Sequence, residues 1–391
     1  MKSAALPFAV SASLYYAAMF GNLGVYLPFI PVWLDWRGMT PVEIGIITSA
    51  PLFVRVLATP AIAIWSDRCG DHRTAIVIGG WVGLAAAAAL TYASGFWQII
   101  LCIVLFQLAT QSIIPLTDTK MLAAAQAHGV AYGRIRLWGS VAFIAANVLG
   151  GMVIGVYGGP SVLTMLIVSA LATAVCAHIL PGNAQQQAAT LNDKSRQQST
   201  WVILSTLLSQ RWFVIIVLAA GLIQASNAVY YAFSAIHWRG QGISDTWIGI
   251  LWAIGVAAEI GLFAISATLL SRLGNAGMLI LGGMGAVVRW TAMAFDPPFW
   301  MLFPLQALHA LSFAATYLGA LGIIQARVPE TMAGTAQSIH SAIATGVIMG
   351  GVTLLAGAMY ADIAATSYLA MASFAFVGVV LGCWLAKSKT T

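Results

Sequence analysis

The sequence predicts an all-α membrane protein of twelve transmembrane helices, arranged as two pseudo-symmetric six-helix bundles. Three observations lead there: a composition unable to clothe a water-soluble globule, twelve apolar stretches of spanning length, and a match between the two halves of the chain in one register.

Of 391 residues, 60% are hydrophobic and 7% charged. A soluble domain carries about 25% charged residues, so most of this surface must face lipid. The net charge of +6 raises nucleic acid as a partner. The basic residues lie singly between apolar segments and form no continuous patch, which excludes it and is the footprint of membrane orientation instead. The cysteines (Cys69, Cys102, Cys176, Cys383) are isolated, with no CxxC or Cys/His spacing. Neither a metal site nor a disulfide is expected from them.

A spanning helix needs about 20 mostly apolar residues. Twelve stretches qualify: 7–33, 43–65, 74–93, 97–118, 137–158, 161–180, 213–237, 247–270, 276–295, 299–325, 335–358 and 366–386. The first is too long for a signal-peptide core and reads as a membrane helix. The polar stretch 181–211, with Gln185-Gln186-Gln187 and Asn192-Asp193-Lys194-Ser195-Arg196, divides an N-terminal bundle (1–180) from a C-terminal one (212–391). With the N-terminus inside, the inner face collects thirteen basic residues, and the outer face only Arg37 and Arg239. That asymmetry places both termini and the central loop in the cytoplasm. The remaining two, Arg55 and Arg289, lie inside spans.

Shifting the second half by 204 positions gives a gapless match. Gly38-Met39-Thr40 lies over Gly242-Ile243-Ser244, Ile44-Gly45-Ile46 over Ile248-Gly249-Ile250, and Ala63, Arg68 and Gly70 over Ala267, Arg272 and Gly274. Parallel six-helix repeats imply a pseudo-twofold axis along the membrane normal and a binding site between the halves near the midplane.

Residues 63–73, AIWSDRCGDHR, resemble the G-x-x-x-D-R-x-G-R-R loop of major facilitator transporters, between the second and third helices where that family has it. Ala63 replaces the first glycine and Asp71-His72 departs from the basic pair, but the core of Asp67, Arg68 and Gly70 is intact. Pro115-Leu116-Thr117-Asp118, YGRIRLWGS over 132–140 and YYAFSAIHW over 230–238 are similar to the 3-phenylpropionic acid transporter group. So are Leu251-Trp252 with Ala258-Glu259, Val288-Arg289-Trp290, and Gln306 with His309. That group is distantly similar to the lactose permease and nucleoside symporters. The resemblance implies a major facilitator fold and proton-coupled uptake, by alternating access, of a small organic acid such as a phenylpropionate-like aromatic carboxylate. It also implies a monomer in a bacterial inner membrane whose partners are solute, protons and lipid, with no cofactor and no metal.

Two other functions compete. A drug/proton antiporter would carry an acid in the first half's cavity, often in the first helix, and none occurs there before Asp35. A membrane-embedded enzyme needs a paired nucleophile and base or a metal cluster. No HExxH, G-x-S-x-G or aspartate pair in spans is present, and no signalling domain is attached.

A charge at the bilayer centre costs at least about 3 kcal/mol, so such residues face a cavity or a partner. Glu259 lies twelve residues into its span, roughly 18 Å deep at the rise of an α-helix. Arg55 is its repeat equivalent, with opposite charge. Glu259 is the candidate proton carrier, because a carboxylate whose cationic neighbour is engaged or released by solute gains and loses a proton. The alternative is a permanent ion pair with Arg289. Arg55 is the candidate holder of a solute carboxylate, since a guanidinium offers paired donors; the alternative is a helix-holding role through backbone carbonyls or Asp118. His309, ten residues into its span, is a core hydrogen-bonding residue or a proton relay with Glu259.

From the family resemblance, Asp118 pairs with the D-R-x-G loop as an inner gate, joined by Asp67, Arg68, Gly70, Arg73, Arg134 and Arg136. The same resemblance makes the first, fourth, seventh and tenth helices the cavity lining, and Tyr230, Tyr231 and Trp252 solute contacts. The competing reading of such aromatics is helix packing and interface anchoring.

Overall fold

The computed structural model describes residues 2–69, 72–180 and 200–388; most of the central loop expected over 181–211 lies outside them. No strand occurs among the described residues. Nine helical stretches there are long and apolar enough to cross a membrane. Asp245–Met293 holds two helices, divided at Gly274, whose φ of 67° breaks the helical backbone. Met332–Lys387 also holds two, divided at Ala364 with φ 44°. With the 18-residue helix His72–Ala89, twelve long helices can be drawn among the described residues, consistent with the expected number.

They are α1 (Lys2–Trp36), α2 (Pro41–Cys69), α3 (His72–Ala89), α4 (Phe96–Ala127), α5 (Tyr132–Tyr157), α6 (Ser161–His178), α7 (Arg211–Gly240), α8 (245–273), α9 (275–293), α10 (Phe299–Arg327), α11 (332–363) and α12 (Ser367–Lys387). A short helix, Thr200–Ser209, precedes α7.

Contacts divide the chain into two compact units. The first comprises Met1–Met39, Phe53–Arg196 and Trp238–Ala253; the second comprises Thr40–Leu52, Gln197–His237 and Ile254–Thr391. Each unit thus includes the N-terminal part of a helix that the linear halves assign to the other bundle: α8 in the first, α2 in the second.

In the first unit α1 packs on α5 and α6, and α3 on α4 and α6. Its core gathers Tyr15, Tyr16, Met19, Ile76, Met121 and Ile135. In the second, α7 packs on α10, α11 and α12. Between membrane helices the driving force is close packing, which small residues permit. A Cβ on Gly45 of α2 would meet the Cα of Gly357 of α11 at 2.8 Å, and one on Gly249 of α8 would overlap the Asn147 carbonyl of α5. Both members of this repeat-related glycine pair therefore let two backbones touch.

The repeat extends to hydrogen bonds. Gly38 (φ 77°) and Gly242 (φ 82°) both turn in the left-handed region that favours glycine. Gly38 N–H donates to Asp35 O at 2.9 Å, Met39 to Leu34 O at 3.0 Å and Ile44 to Thr40 O at 2.9 Å. Displaced by 204, Gly242 donates to Arg239 O, Ile243 to Trp238 O and Ile248 to Ser244 O, at 3.0, 3.0 and 3.1 Å.

Three helices are interrupted where chemistry is concentrated. In α7 the regular helix stops at Ala225 and resumes at Ala228. Ser226 and Asn227 donate back to Ile223 O (2.6 Å) and Gln224 O (3.0 Å), an alternative to the main-chain ladder. In α10 a π-turn covers Leu311–Ala315 directly after His309, and in α11 another covers Ala342–Ile348. π-bulges are frequent at functional sites.

Candidate functional site

The second unit contains a buried polar cluster built from α7, α8, α9 and α10. Gly255 of α8 brings that helix against α10: a Cβ there would lie 3.4 Å from the Cβ and ring of His309. One turn further along α8, Glu259 Oε1 reaches His309 Nε2 at 3.0 Å. On the opposite side of the ring, Arg289 Nη1 of α9 donates to His309 Nδ1 at 3.0 Å. Arg289 also donates from Nη2 to Gln306 Oε1 (2.7 Å) and from Nη1 to Asn227 Oδ1 (3.4 Å).

The guanidinium lies against two aromatic rings, its Cζ 4.4 Å from the Tyr230 ring centroid and 4.3 Å from that of Trp290. Trp290 stacks on Tyr368 and donates its indole N–H to Ser226 Oγ at 2.8 Å, tying α9 to the break in α7. Tyr230, Tyr231 and Phe313 surround the imidazole with ring centroids 5.7, 6.1 and 5.8 Å away. Cation–π contacts of this kind are worth about 2 kcal/mol or more when desolvated. They help carry a charge that is completely buried.

Arginine has donors only, so His309 Nδ1 is an acceptor. The ring's single proton then sits on Nε2 and is donated to the Glu259 carboxylate. The imidazole is thereby the link between an anion and a cation, and no ion pair joins Glu259 to Arg289 directly. Burial is graded along this line. The Glu259 side chain is 16% exposed, His309 8% and Arg289 0%.

The sequence candidates are distributed as follows. Glu259, His309, Arg289, Tyr230 and Tyr231 converge in the second unit. Trp252 is buried in the first unit. Arg55 is half-buried on α2, also in the first unit. Asn227 and Ser312 were not singled out by sequence reasoning, and Gln306 and Trp290 entered only within family motifs, without a role. Their signal was present, as uncharged polar residues and one indole inside apolar spans, but hydropathy gives them little weight.

A second cluster occupies the first unit. Asp118 Oδ1 of α4 accepts from Tyr16 Oη (2.6 Å) and Tyr132 Oη (2.9 Å). The Arg136 guanidinium lies 3.8 Å over the Phe20 ring and 5.6 Å from that of Tyr16. Arg73 donates to His178 O at 2.7 Å, while Arg68 and Arg134 are exposed. Gly70 and the side chain of Asp67 lie outside the described residues. Hydrogen bonds to charged groups contribute about 1.5–3 kcal/mol, so Tyr16→Phe is expected to destabilise the purified protein by that order. Chemical unfolding in detergent micelles measures it; wild-type stability would remove Tyr16 as the anchor of Asp118.

A twelve-helix apolar bundle with a duplicated α1–α2 and α7–α8 turn and an ionisable cluster buried inside its spans is a membrane transporter of the major facilitator type. The sequence profile of the MFS_1 like family matches residues 9–370, and the chain belongs to that family. It is 31% identical over 354 residues to a probable 3-phenylpropionic acid transporter of Escherichia coli (strain K12), covering 89% of this chain and 90% of the relative. It is 27% identical over 388 residues to a maltose permease of Geobacillus stearothermophilus, covering 97% and 94%. Among solved structures, the nucleoside transporter NupG matches with a TM-score of 0.82 at 17% identity, covering 98% of this chain and 100% of that one. A D-xylose–proton symporter matches with a TM-score of 0.70 at 15% identity, covering 98% and 97%. The chain is therefore a multi-pass membrane transporter and not an enzyme.

Proposed function

We propose that this transporter carries a small aromatic carboxylate inward together with protons, by alternating access across a bacterial inner membrane. The observation that carries this reading is the binding of Glu259 and Arg289 to the two nitrogens of one imidazole. A proton added to His309 Nδ1 confronts the Arg289 donor and breaks that hydrogen bond. A proton added to Glu259 removes the negative charge that balances the guanidinium. Either event leaves the buried Arg289 charge needing an anion, which a solute carboxylate supplies. Proton and anion thus favour each other's binding, and the negative solute enters with its charge offset. Each charge moved against the potential is worth about 2.3 kcal/mol per 100 mV.

The 31% identical relative supports an aromatic acid as solute, and Tyr230 and Tyr231 beside His309 offer faces for its ring. Arg55 and Trp252 are assigned to solute binding on the strength of the sequence reading. Asp67, Arg68, Gly70, Arg73, Asp118, Arg134 and Arg136 are assigned to a cytoplasmic gate, on the strength of the loop motif. The chain works as a monomer of two bundles, 1–180 and 212–391, joined by the 181–211 loop, with both termini in the cytoplasm; the loop charge asymmetry supports that orientation.

The test is uptake of labelled 3-phenylpropionate into proteoliposomes under an imposed pH gradient, with maltose as the neutral comparison. Accumulation against the solute gradient when the outside is acidic is the expected result. Movement of solute opposite to the proton flow would establish antiport instead.

A further inference from the structure

The Arg289–His309 cluster contains a demand that the protein itself leaves unmet. Arg289 is fully buried and spends Nη1 on His309 and Asn227 and Nη2 on Gln306. Its Nε–H has no acceptor among the described residues. Gln306, also fully buried, accepts from Arg289 through Oε1, which fixes the orientation of its amide, since the reversed amide would oppose donor to donor. The Gln306 Nε2 group is then left buried with no acceptor among the described residues. Nε neighbours Nη2 on the guanidinium, so the Nε–H and the Gln306 amide belong to one hydrogen-bonded pair.

A buried donor without an acceptor retains its full desolvation cost, and native structures rarely keep one without reason. Here both belong to one hydrogen-bonded pair, both are donors, and one carries a fixed positive charge. The chemistry that satisfies them is an acceptor-only anion with two oxygens. The flanking rings of Tyr230 and Trp290 exclude a strongly hydrated ion and favour an organic one. Gln306 precedes His309 by three positions on α10, so an anion held here sits one helical turn from the imidazole that joins Arg289 to Glu259.

We propose that Arg289 Nε–H and Gln306 Nε2–H form a carboxylate subsite in the second unit, where the solute's anionic end is read. This deepens the proposed proton-coupled uptake of an organic acid and rests on it. The amide of Gln306 is then the residue that discriminates a carboxylate from a neutral isostere: it donates to the first and has no charge to gain from the second. A proton at Glu259 or His309 and a carboxylate at Gln306 act on the same guanidinium.

The experiment compares wild type, Gln306→Glu and Gln306→Leu, each checked for monodispersity and melting in detergent. The probes are 3-phenylpropionate and its neutral analogue 3-phenylpropionamide, with binding followed by calorimetry and proton-driven uptake followed in proteoliposomes. Gln306→Glu keeps an acceptor for Arg289 but replaces the free donors with a negative charge. It is expected to weaken binding of the acid at least about tenfold, the effect of one lost charge-assisted hydrogen bond, and to leave the amide analogue unaffected. Gln306→Leu is expected to weaken acid binding with no electrostatic repulsion involved, which separates loss of the donors from added charge. If wild type accumulates the acid and both variants bind it as wild type does, the subsite is wrong, water fills those donors, and the proposed function stands. If wild type neither binds nor accumulates the acid, the proposed function fails and takes the subsite with it.

Discussion

Proteoliposomes carrying Glu259→Gln are expected to show no accumulation of solute above protein-free vesicles under an inward proton gradient, while still exchanging internal for external solute. The amide preserves size and can accept the His309 Nε2–H, so the local packing survives. What it removes is the group proposed to take up a proton and so leave Arg289 without a counter-charge. Exchange requires only that the loaded carrier change its exposure, whereas accumulation requires the proton to move with the solute. Retained gradient-driven accumulation in this variant would dismiss Glu259 as the proton site. Loss of both activities, with normal folding, would make it a solute-binding or structural residue instead.

The second large effect is on Arg289. Its charge is buried, paired through His309 with Glu259, bonded to Gln306 and Asn227, and set against the rings of Tyr230 and Trp290. Arg289→Met removes the donor from three acceptors at once and leaves Glu259 and His309 without their cation. Breaking a buried ionic arrangement from one side costs about 3–5 kcal/mol, and a loss of that order is expected in detergent unfolding, together with loss of transport. Arg289→Lys keeps the charge, but an ammonium does not match the flat, forked geometry of this site. It is expected to recover part of the stability and little of the transport. Wild-type melting of both variants would mean that the cluster does not hold α7, α9 and α10 together.

The architecture was legible because a spanning helix advertises itself by an apolar run of about 20 residues. The 204-residue register further identified the turns at Gly38 and Gly242, whose backbone the structure shows to be alike. What hydropathy could not show were the interruptions. Ser226–Asn227 and Leu311–Ala315 lie in segments as apolar as their neighbours, and the break arises from side chains competing for main-chain carbonyls. Nor could it show that α2 and α8 each begin in one unit and continue in the other, since that depends on glycine contacts with α11 and α5.

The site was half legible. Glu259, Arg289 and His309 stood out because charge and imidazole inside a span are costly. Their convergence was not readable, because it joins three helices across fifty positions of sequence, and the choice between a direct ion pair and an imidazole link turns on a few ångströms. Gln306 and Asn227 carry no charge, so hydropathy gives them little weight, yet both accept from the guanidinium. The gate residues were named from a loop motif; of these, Asp118 and Arg136 are held by aromatic partners that the motif does not mention.

The duplicated turn has a consequence for ancestry. A dimer of identical half-length chains carries the same side chain at both copies of any position, so a residue at the place of Arg55 and Glu259 would be repeated with the same charge. Only after the gene is duplicated can one copy drift to arginine and the other to glutamate. The backbone of the two turns, still hydrogen-bonded alike, records the common origin. The opposed charges a few turns further along the same helices record the loss of symmetry, and with it the freedom to give one half a task the other does not share.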